Sequence, residues 1–315
     1  MPRWLEQTWW SRRLTLLVVV LQPLSWLMAL AGRTRRWLYR ARVLKSAHPG
    51  VPVVVVGNIV VGGAGKTPLT LWLAGELRRQ GWHPGIVSRG YGRSGDEVRP
   101  VTVDSLPAAV GDEPLLLARH TGLPVWVGRA RAEAGRALLA AHPEVDVVLC
   151  DDGLQHYALA RDVELVVFDA RGAGNGWRLP VGPLREPLAR NATVDAVICQ
   201  NSPTIRLPAM VPAFGMSLLP GHFYRLDDPQ QTCTAQALRG HGRLFALAGI
   251  GHPERFFRTL EELGLDCETR SFPDHHRYSA ADLAFARDGI LLMTEKDAVK
   301  CAGLMAGETW VLPVE

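Results

Sequence analysis

The residues with the clearest chemical meaning stand in a glycine-rich run, "GNIVVGGAGKTP", at positions 57–68. An apolar run, "VPVVVV", precedes it, and a helix-forming run opens at its "KTP". Strand, glycine loop and helix in that order make a phosphate-binding loop. Backbone N–H groups surround the anion, the helix N-terminus adds positive potential, a lysine reaches the terminal phosphates, and a hydroxyl ligates a magnesium ion. On this reading Val60, Val61, Gly62, Gly63, Ala64, Gly65, Lys66 and Thr67 hold the phosphates of ATP, with Lys66 on the group in transfer and Thr67 on Mg²⁺. The spacing departs from the usual GxxxxGK pattern. Val60 stands where the first glycine would be, and Gly62 and Gly63 lie downstream.

A nucleotide loop needs carboxylates for its metal, and "VDVVLCDDGLQH" supplies them: an apolar strand ends in Asp151 and Asp152. Alone these would read as turn formers; beside the loop they read as magnesium ligands. In the same run His156 has two readings, serving the cleft and simple packing. Two further stretches could supply a base. In "GDEPLLLARH", Asp112 is either a helix N-cap or a carboxylate that accepts a hydroxyl proton. In "FPDHHRYS", His275 and His276 follow Asp274, an arrangement suited either to an oriented imidazole or to a solvated loop. "SRGYGRSG" and "GNGWRLPVGPLREPLAR" place Arg89, Arg93, Arg178 and Arg185 beside glycines, where they clamp phosphate oxygens or lie in solvent. "TEKDAVK", at 294–300, follows an apolar strand and is too polar for a core; composition leaves its role open.

The elements that must carry these groups alternate. Strands are expected at 53–56, 85–88, 125–127, 145–150, 164–169 and 196–199, and helices at 66–80, 114–120 and 130–141, with a short one near Pro187. Runs such as "VVVV" suit strands covered on both faces, so the fold class is α/β, a P-loop NTPase-like doubly wound and mostly parallel sheet. An irregular, proline-rich connection at 203–220 leads to strands at 244–248, 268–272, 289–293 and 309–312 and helices at 253–263 and 280–287, a second, smaller α/β domain. The expected domains are 1–45, a basic and hydrophobic membrane-associating helix; 46–205, the P-loop core; and 206–315, the smaller unit.

The chain has 315 residues, 47% hydrophobic and 21% charged, which suits a globular chain. Its net charge is only +4, but nine basic residues, from Arg3 to Lys45, crowd the N-terminal stretch and point to an anionic membrane surface. No nucleic-acid partner and no obligate protein partner is expected. Five cysteines without a CxxC pair fit a reducing compartment. Between the basic flanks, 14–31 carries no charge. Pro23 would kink a helix there, and basic residues on both sides give no preferred orientation for a crossing. Gln7, Ser11, Thr15, Gln22, Ser25 and Gly32 share one side of a helical wheel, and Trp4, Trp9, Trp10, Trp26 and Trp37 suit the headgroup level, so a helix lying in one leaflet is expected ahead of a buried core helix or a single span.

Taken together, "GNIVVGGAGKTP", "SRGYGR", "GDEPLLLA", "DDGLQH", "LPVGPLREP", "FPDHH" and "TEKDAVK" occur in an order that resembles the tetraacyldisaccharide 4′-kinase family, the lipid A 4′-kinases of Gram-negative bacteria. The resemblance covers nearly the whole chain. It implies transfer of the ATP γ-phosphate to the 4′-hydroxyl of tetraacyldisaccharide 1-phosphate, forming lipid IVA at the cytoplasmic face of the inner membrane. It also implies that Lys66 and Thr67 serve the phosphate loop, Asp151 and Asp152 the metal, and Asp112 with His275 a catalytic pair, with His276 as the other candidate. Tyr91 and Glu186 are implied as further site residues, beside Arg185. In "GIGHPERF", His252 stands where the family leads one to expect asparagine. A competing resemblance is to the partitioning and targeting ATPases, membrane-bound switches whose signature lysine would fall at Val61.

Overall fold

The computed structural model describes residues 8–11, 16–200, 210–301, 303–304 and 307–314. Trp4, Gln7, Thr15, the first part of the proline-rich connection and the expected domain boundary at 205/206 lie outside the described residues. By contacts the chain divides into two units, Met1–Arg89 with Asp96–Pro100 and Thr121–Ser217, and Gly90–Gly95 with Val101–His120 and Leu218–Glu315. This differs from a single cut near 205, because the stretches carrying Tyr91 and Asp112 belong with the C-terminal unit.

In the first unit, β1 (Val53–Gly57) is followed by α2 (Lys66–Arg79), β2 (Pro84–Ser88), β3 (Arg99–Val101), β4 (Val125–Val127), α5 (Arg131–Ala141), β5 (Val147–Asp151), β6 (Val163–Phe168), β7 (Ala196–Gln200) and β8 (Ala213–Met216). Their order across the sheet is β3-β4-β2-β5-β1-β6-β7-β8. β1 pairs in parallel with β5 on one side and β6 on the other. The valines of β1 alternate between two cores: Val53 and Val55 pack with Cys150, Leu154 and Phe168, while Val56 packs with Leu69, Val167 and Ile198. A strand buried on both faces reads as an unbroken apolar run, which is why "VVVV" signalled a parallel sheet. β8 forms within the stretch read as irregular; its residues are mostly exposed, so burial left no apolar pattern to find.

The N-terminal helix α1 spans Leu16–Arg40, extending through Pro23 and past the uncharged segment into the basic one. Ser25, expected on the polar side, is buried and donates a hydrogen bond to the Arg178 carbonyl at 3.1 Å. Val19, Val20, Trp26, Leu27, Leu30 and Trp37 point outward and are each at least 60% exposed. Ser25 therefore faces protein, whereas Gly32 on the same side is exposed, and these apolar residues are bare. No described helix is long and apolar enough to cross a membrane.

The second unit contains α3 (Pro107–Val110), α4 (Asp112–Thr121, which it holds as far as His120) and a six-stranded sheet in the order β10-β9-β14-β13-β11-β12. Its strands are β9 (Phe223–Arg225), β10 (Thr232–Cys233), β11 (Leu244–Ala248), β12 (Cys267–Ser271), β13 (Ile290–Thr294) and β14 (Thr309–Leu312). The four strands expected from sequence pair in parallel, and β9 and β10 add antiparallel pairing at one side. Again the strands alternate between two cores, with Leu244, Ala246, Leu292 and Trp310 on one face and Phe245, Leu247, Met293 and Val311 on the other. The helices α6 (Ala235–Leu238), α7 (Pro253–Glu262) and α8 (Ala280–Leu283) connect the strands, and the short α9 (Glu295–Ala298) caps β13. His252 is the N-cap of α7 but makes no side-chain capping bond; its Nδ1 pairs with Glu254 at 3.2 Å instead.

Candidate active site

The phosphate loop leaves β1 where Val56 lies opposite Asp151, so the register of β1 on β5 brings loop and carboxylates to the same end of the sheet. Gly62 and Gly65 adopt φ of 105° and 87°, the left-handed region that favours glycine, and Gly65 serves as the N-cap of α2. A Cβ on Gly65 would come within 2.9 Å of Met216 Cε. The first helical bond runs from Leu69 N–H to Gly65 O at 3.2 Å, so the N–H groups of Lys66 and Thr67 have no intrahelical acceptor and Pro68 has none to satisfy.

The structure accounts for the missing first glycine. Val60 is buried and bridges Leu184, and Val61 N–H donates to Pro183 O at 2.9 Å. These two residues, expected in the phosphate-binding stretch, pair with the "LPVGPLREP" segment, Val61 through its N–H. Arg185 N–H bonds Ile59 O at 2.7 Å, completing the seam, and Asn58 Nδ2 donates to Gly62 O at 3.2 Å.

Lys66 is buried, with Nζ 3.7 Å from Asp152 Oδ1; Arg185 Nη1 approaches the same oxygen at 3.4 Å. Asp152 takes φ 49°, a left-handed turn that asparagine and aspartate tolerate better than most. Asp151 is fully buried and accepts from Thr70 Oγ1 at 3.3 Å. Among the described residues no cluster of three or more His, Cys, Asp or Glu could hold a metal by itself. Two adjacent carboxylates, one of them 3.7 Å from Lys66 Nζ, nevertheless fit Mg²⁺, which is usually held by one or two carboxylates, waters and substrate phosphates.

Glu186 lies at the base of this half. It is buried and accepts from Gln155 Nε2 at 2.9 Å, Tyr157 OH at 2.5 Å and Arg36 Nη1 of α1 at 3.3 Å. Burial and the Glu186 charge push the Tyr157 phenol up to about 12, so it remains a donor. His156 belongs to the packing beneath: burial, with Arg131 and Arg161 nearby, pushes its imidazole down to about 4, and its Nδ1 lies 3.3 Å from Arg131 Nη1.

The second unit carries the residues expected as an acid–base pair. Asp112 is the first residue of α4 rather than its cap, since Gly111 turns the chain at φ 95° just before it. Asp112 Oδ2 lies 3.1 Å from His275 Nδ1, and both side chains are mostly covered. His275 itself has φ 60°, and its backbone N–H is held by Asp274 Oδ1 at 3.1 Å. Tyr91 sets its ring 4.9 Å from the His275 imidazole. His276 turns away: it stacks on Phe272 with ring centroids 4.7 Å apart and points Nε2 at Asp282, 3.4 Å distant. Of the two histidines, only His275 faces Asp112.

The family model described as tetraacyldisaccharide-1-P 4′-kinase matches residues 17–315. The chain belongs to the tetraacyldisaccharide-1-P 4′-kinase family. A relative from Dechloromonas aromatica, named tetraacyldisaccharide 4′-kinase, is 69% identical over 100% of this chain and 93% of its own. One of the same name from Methylobacillus flagellatus is 48% identical over 99% and 91%. A crystal structure of LpxK from Aquifex aeolicus in complex with ATP superposes with a TM-score of 0.82 at 29% identity, covering 95% of this chain and 94% of that one. Membership in this kinase family sets aside the switch ATPases, whose signature lysine would replace the apolar Val61. The structure also adds residues to the kinase site that sequence reasoning did not single out: Asn58, Gln155 and Tyr157, whose polar atoms hold the loop and Glu186. Gln155 stood inside a quoted motif, but its contacts are made across turns that only the folded chain brings together.

Proposed function

We propose that the chain transfers the γ-phosphate of ATP to the 4′-hydroxyl of tetraacyldisaccharide 1-phosphate, giving lipid IVA. Gly62 to Thr67 hold the triphosphate through backbone N–H groups, and Lys66 offsets charge on the phosphoryl oxygens. Asp151, Asp152 and Thr67 would hold Mg²⁺, which when bound neutralises phosphate charge. Arg185, drawn to Asp152, orients that carboxylate. Asp112 accepts the proton of the attacking hydroxyl, and His275 holds its carboxylate in place through Nδ1. Tyr91 braces the imidazole. The bare apolar face of α1, flanked by arginines, supports association with the cytoplasmic face of the inner membrane, where an acylated substrate would reside.

The observation that carries this reading is the Asp112–His275 pair at 3.1 Å, since a nucleotide switch has no use for a sheltered carboxylate–imidazole pair. Detergent-solubilised protein given labelled ATP and the acylated disaccharide should place label on lipid. Asp112→Asn and His275→Ala should each lower kcat at least about 100-fold while leaving the ATP KM within about twofold. Label released only to water, or wild-type turnover in either variant, would contradict the assignment.

A further inference from the structure

"TEKDAVK", polar and without a role from sequence, forms the turn that caps β13, and three successive side chains leave it in three directions. Glu295 reaches the last turn of α4, with Oε1 2.6 Å from His120 Nε2. Lys296 Nζ donates to Glu113 Oε1 at 2.9 Å in the first turn of α4, and to Asp274 Oδ1 at 3.4 Å. Asp297 accepts from Gly249 N–H at 3.1 Å and from Tyr278 OH at 2.9 Å, at the far end of the loop that carries the histidines. One turn thus grips both ends of the helix that begins with Asp112 and both ends of the loop that holds His275.

We propose that Lys296 is the positioning residue for the Asp112–His275 pair, setting its separation through Glu113 and Asp274, the chain neighbours of its two members. This rests on the kinase reading of that pair. Asp112 and His275 are 163 positions apart, so nothing local fixes their approach. His275 also holds a left-handed backbone, which surrounding structure must impose on a non-glycine residue. Three carboxylates, those of Asp112, Glu113 and Asp274, gather at this place. Lys296 is the cation that balances them: burial works against its charge, but these carboxylates outweigh that and hold its ammonium above the ordinary lysine range. Without it the carboxylates repel and the two segments part. A misplacement on the order of 1 Å costs an acid–base pair about 100-fold in rate.

The test compares Lys296→Met, Lys296→Arg and Asp112→Asn in the full-length enzyme. Lys296→Met should lower kcat about 10- to 100-fold with the ATP KM within about twofold, and Lys296→Arg should restore most of it. Loss of a positive charge beside carboxylates should also move the acid limb of the kcat–pH profile to higher pH. Wild-type kcat and pH profile in Lys296→Met, or a loss that follows the melting temperature alone and is not restored by arginine, would overturn the proposal. Asp112→Asn separates the two levels. If it is inactive while Lys296→Met is wild-type, only the positioning role falls; if it retains turnover, the reading of the pair falls and this proposal with it. Should Lys296→Met fail to fold, Glu113→Gln breaks the same clamp from the other side and carries the same expectation.

Discussion

Asp297→Ala removes one acceptor from four donors. The carboxylate is fully buried; it takes Lys300 Nζ at 2.7 Å, Thr294 Oγ1 at 2.7 Å, Tyr278 OH at 2.9 Å and Gly249 N–H at 3.1 Å. Lys300 is the costliest to strand, because its side chain is only 4% exposed and its remaining acceptor is the Gly249 carbonyl at 3.1 Å. Breaking a buried ion pair from one side costs about 3–5 kcal/mol, and each orphaned neutral donor adds about 1 kcal/mol, though shared relaxation makes the terms less than additive. About 4 kcal/mol or more is expected, a large fraction of the roughly 5–15 kcal/mol that holds a domain folded. Removing the stranded charge in Asp297→Ala/Lys300→Met should recover about 1.5 kcal/mol or more. Hydrogen exchange of the β11 amides reads this unit directly, and Trp310, buried in β14, gives a second signal during urea unfolding. Protection of β11 within about 1 kcal/mol of wild type, or strict additivity in the double variant, would refute the reasoning.

The depressed His156 imidazole makes stability depend on acid pH. The folded group titrates at about 4 and the unfolded one at 6.5, so stability is fully present above 6.5 and is lost as pH falls from 6.5 towards 4, where the unfolded chain binds a proton the folded chain does not. The full shift corresponds to about 3 kcal/mol, reduced to about 1–2 kcal/mol because the ring is partly exposed. His156→Gln should flatten urea midpoints between pH 7 and 4.5; an unchanged slope would assign the dependence elsewhere. For membrane contact, Trp26→Ser/Leu27→Ser removes two side chains 65% and 63% exposed. Each is worth about 1.5–3 kcal/mol when buried in lipid, so sedimentation with anionic vesicles should fall by more than tenfold. Undiminished sedimentation would remove α1 from the membrane reading.

Much of the core was legible because its signals are local. The valines of β1, the glycine loop and the "KTP" helix start follow one another in the chain, and burial on both faces leaves an unmistakable apolar run. β3, β8, β9 and β10 were missed for the opposite reason. They are short and carry several partly or fully exposed residues, and they are held by pairing with strands elsewhere. Lys66, Asp151 and Asp152 were singled out through motif and order, and the structure brings Lys66 and Asp152 together. That Val60 and Val61 form a seam with Pro183 and Leu184 depended on residues more than a hundred positions away.

By itself the sequence determined the fold class, the nucleotide loop, its carboxylates and, through the order of its motifs, the kinase family, because each rests on residue type and spacing along one strand, loop or helix. Tertiary structure alone decided that His275 and not His276 faces Asp112, that Ser25 of α1 turns inward, and that "TEKD" grips the helix and loop bearing Asp112 and His275. Those outcomes depend on distances between segments distant in the chain. Neighbouring histidines have the same local composition, and only the packing of Phe272, Asp282 and Lys296 gives them different surroundings.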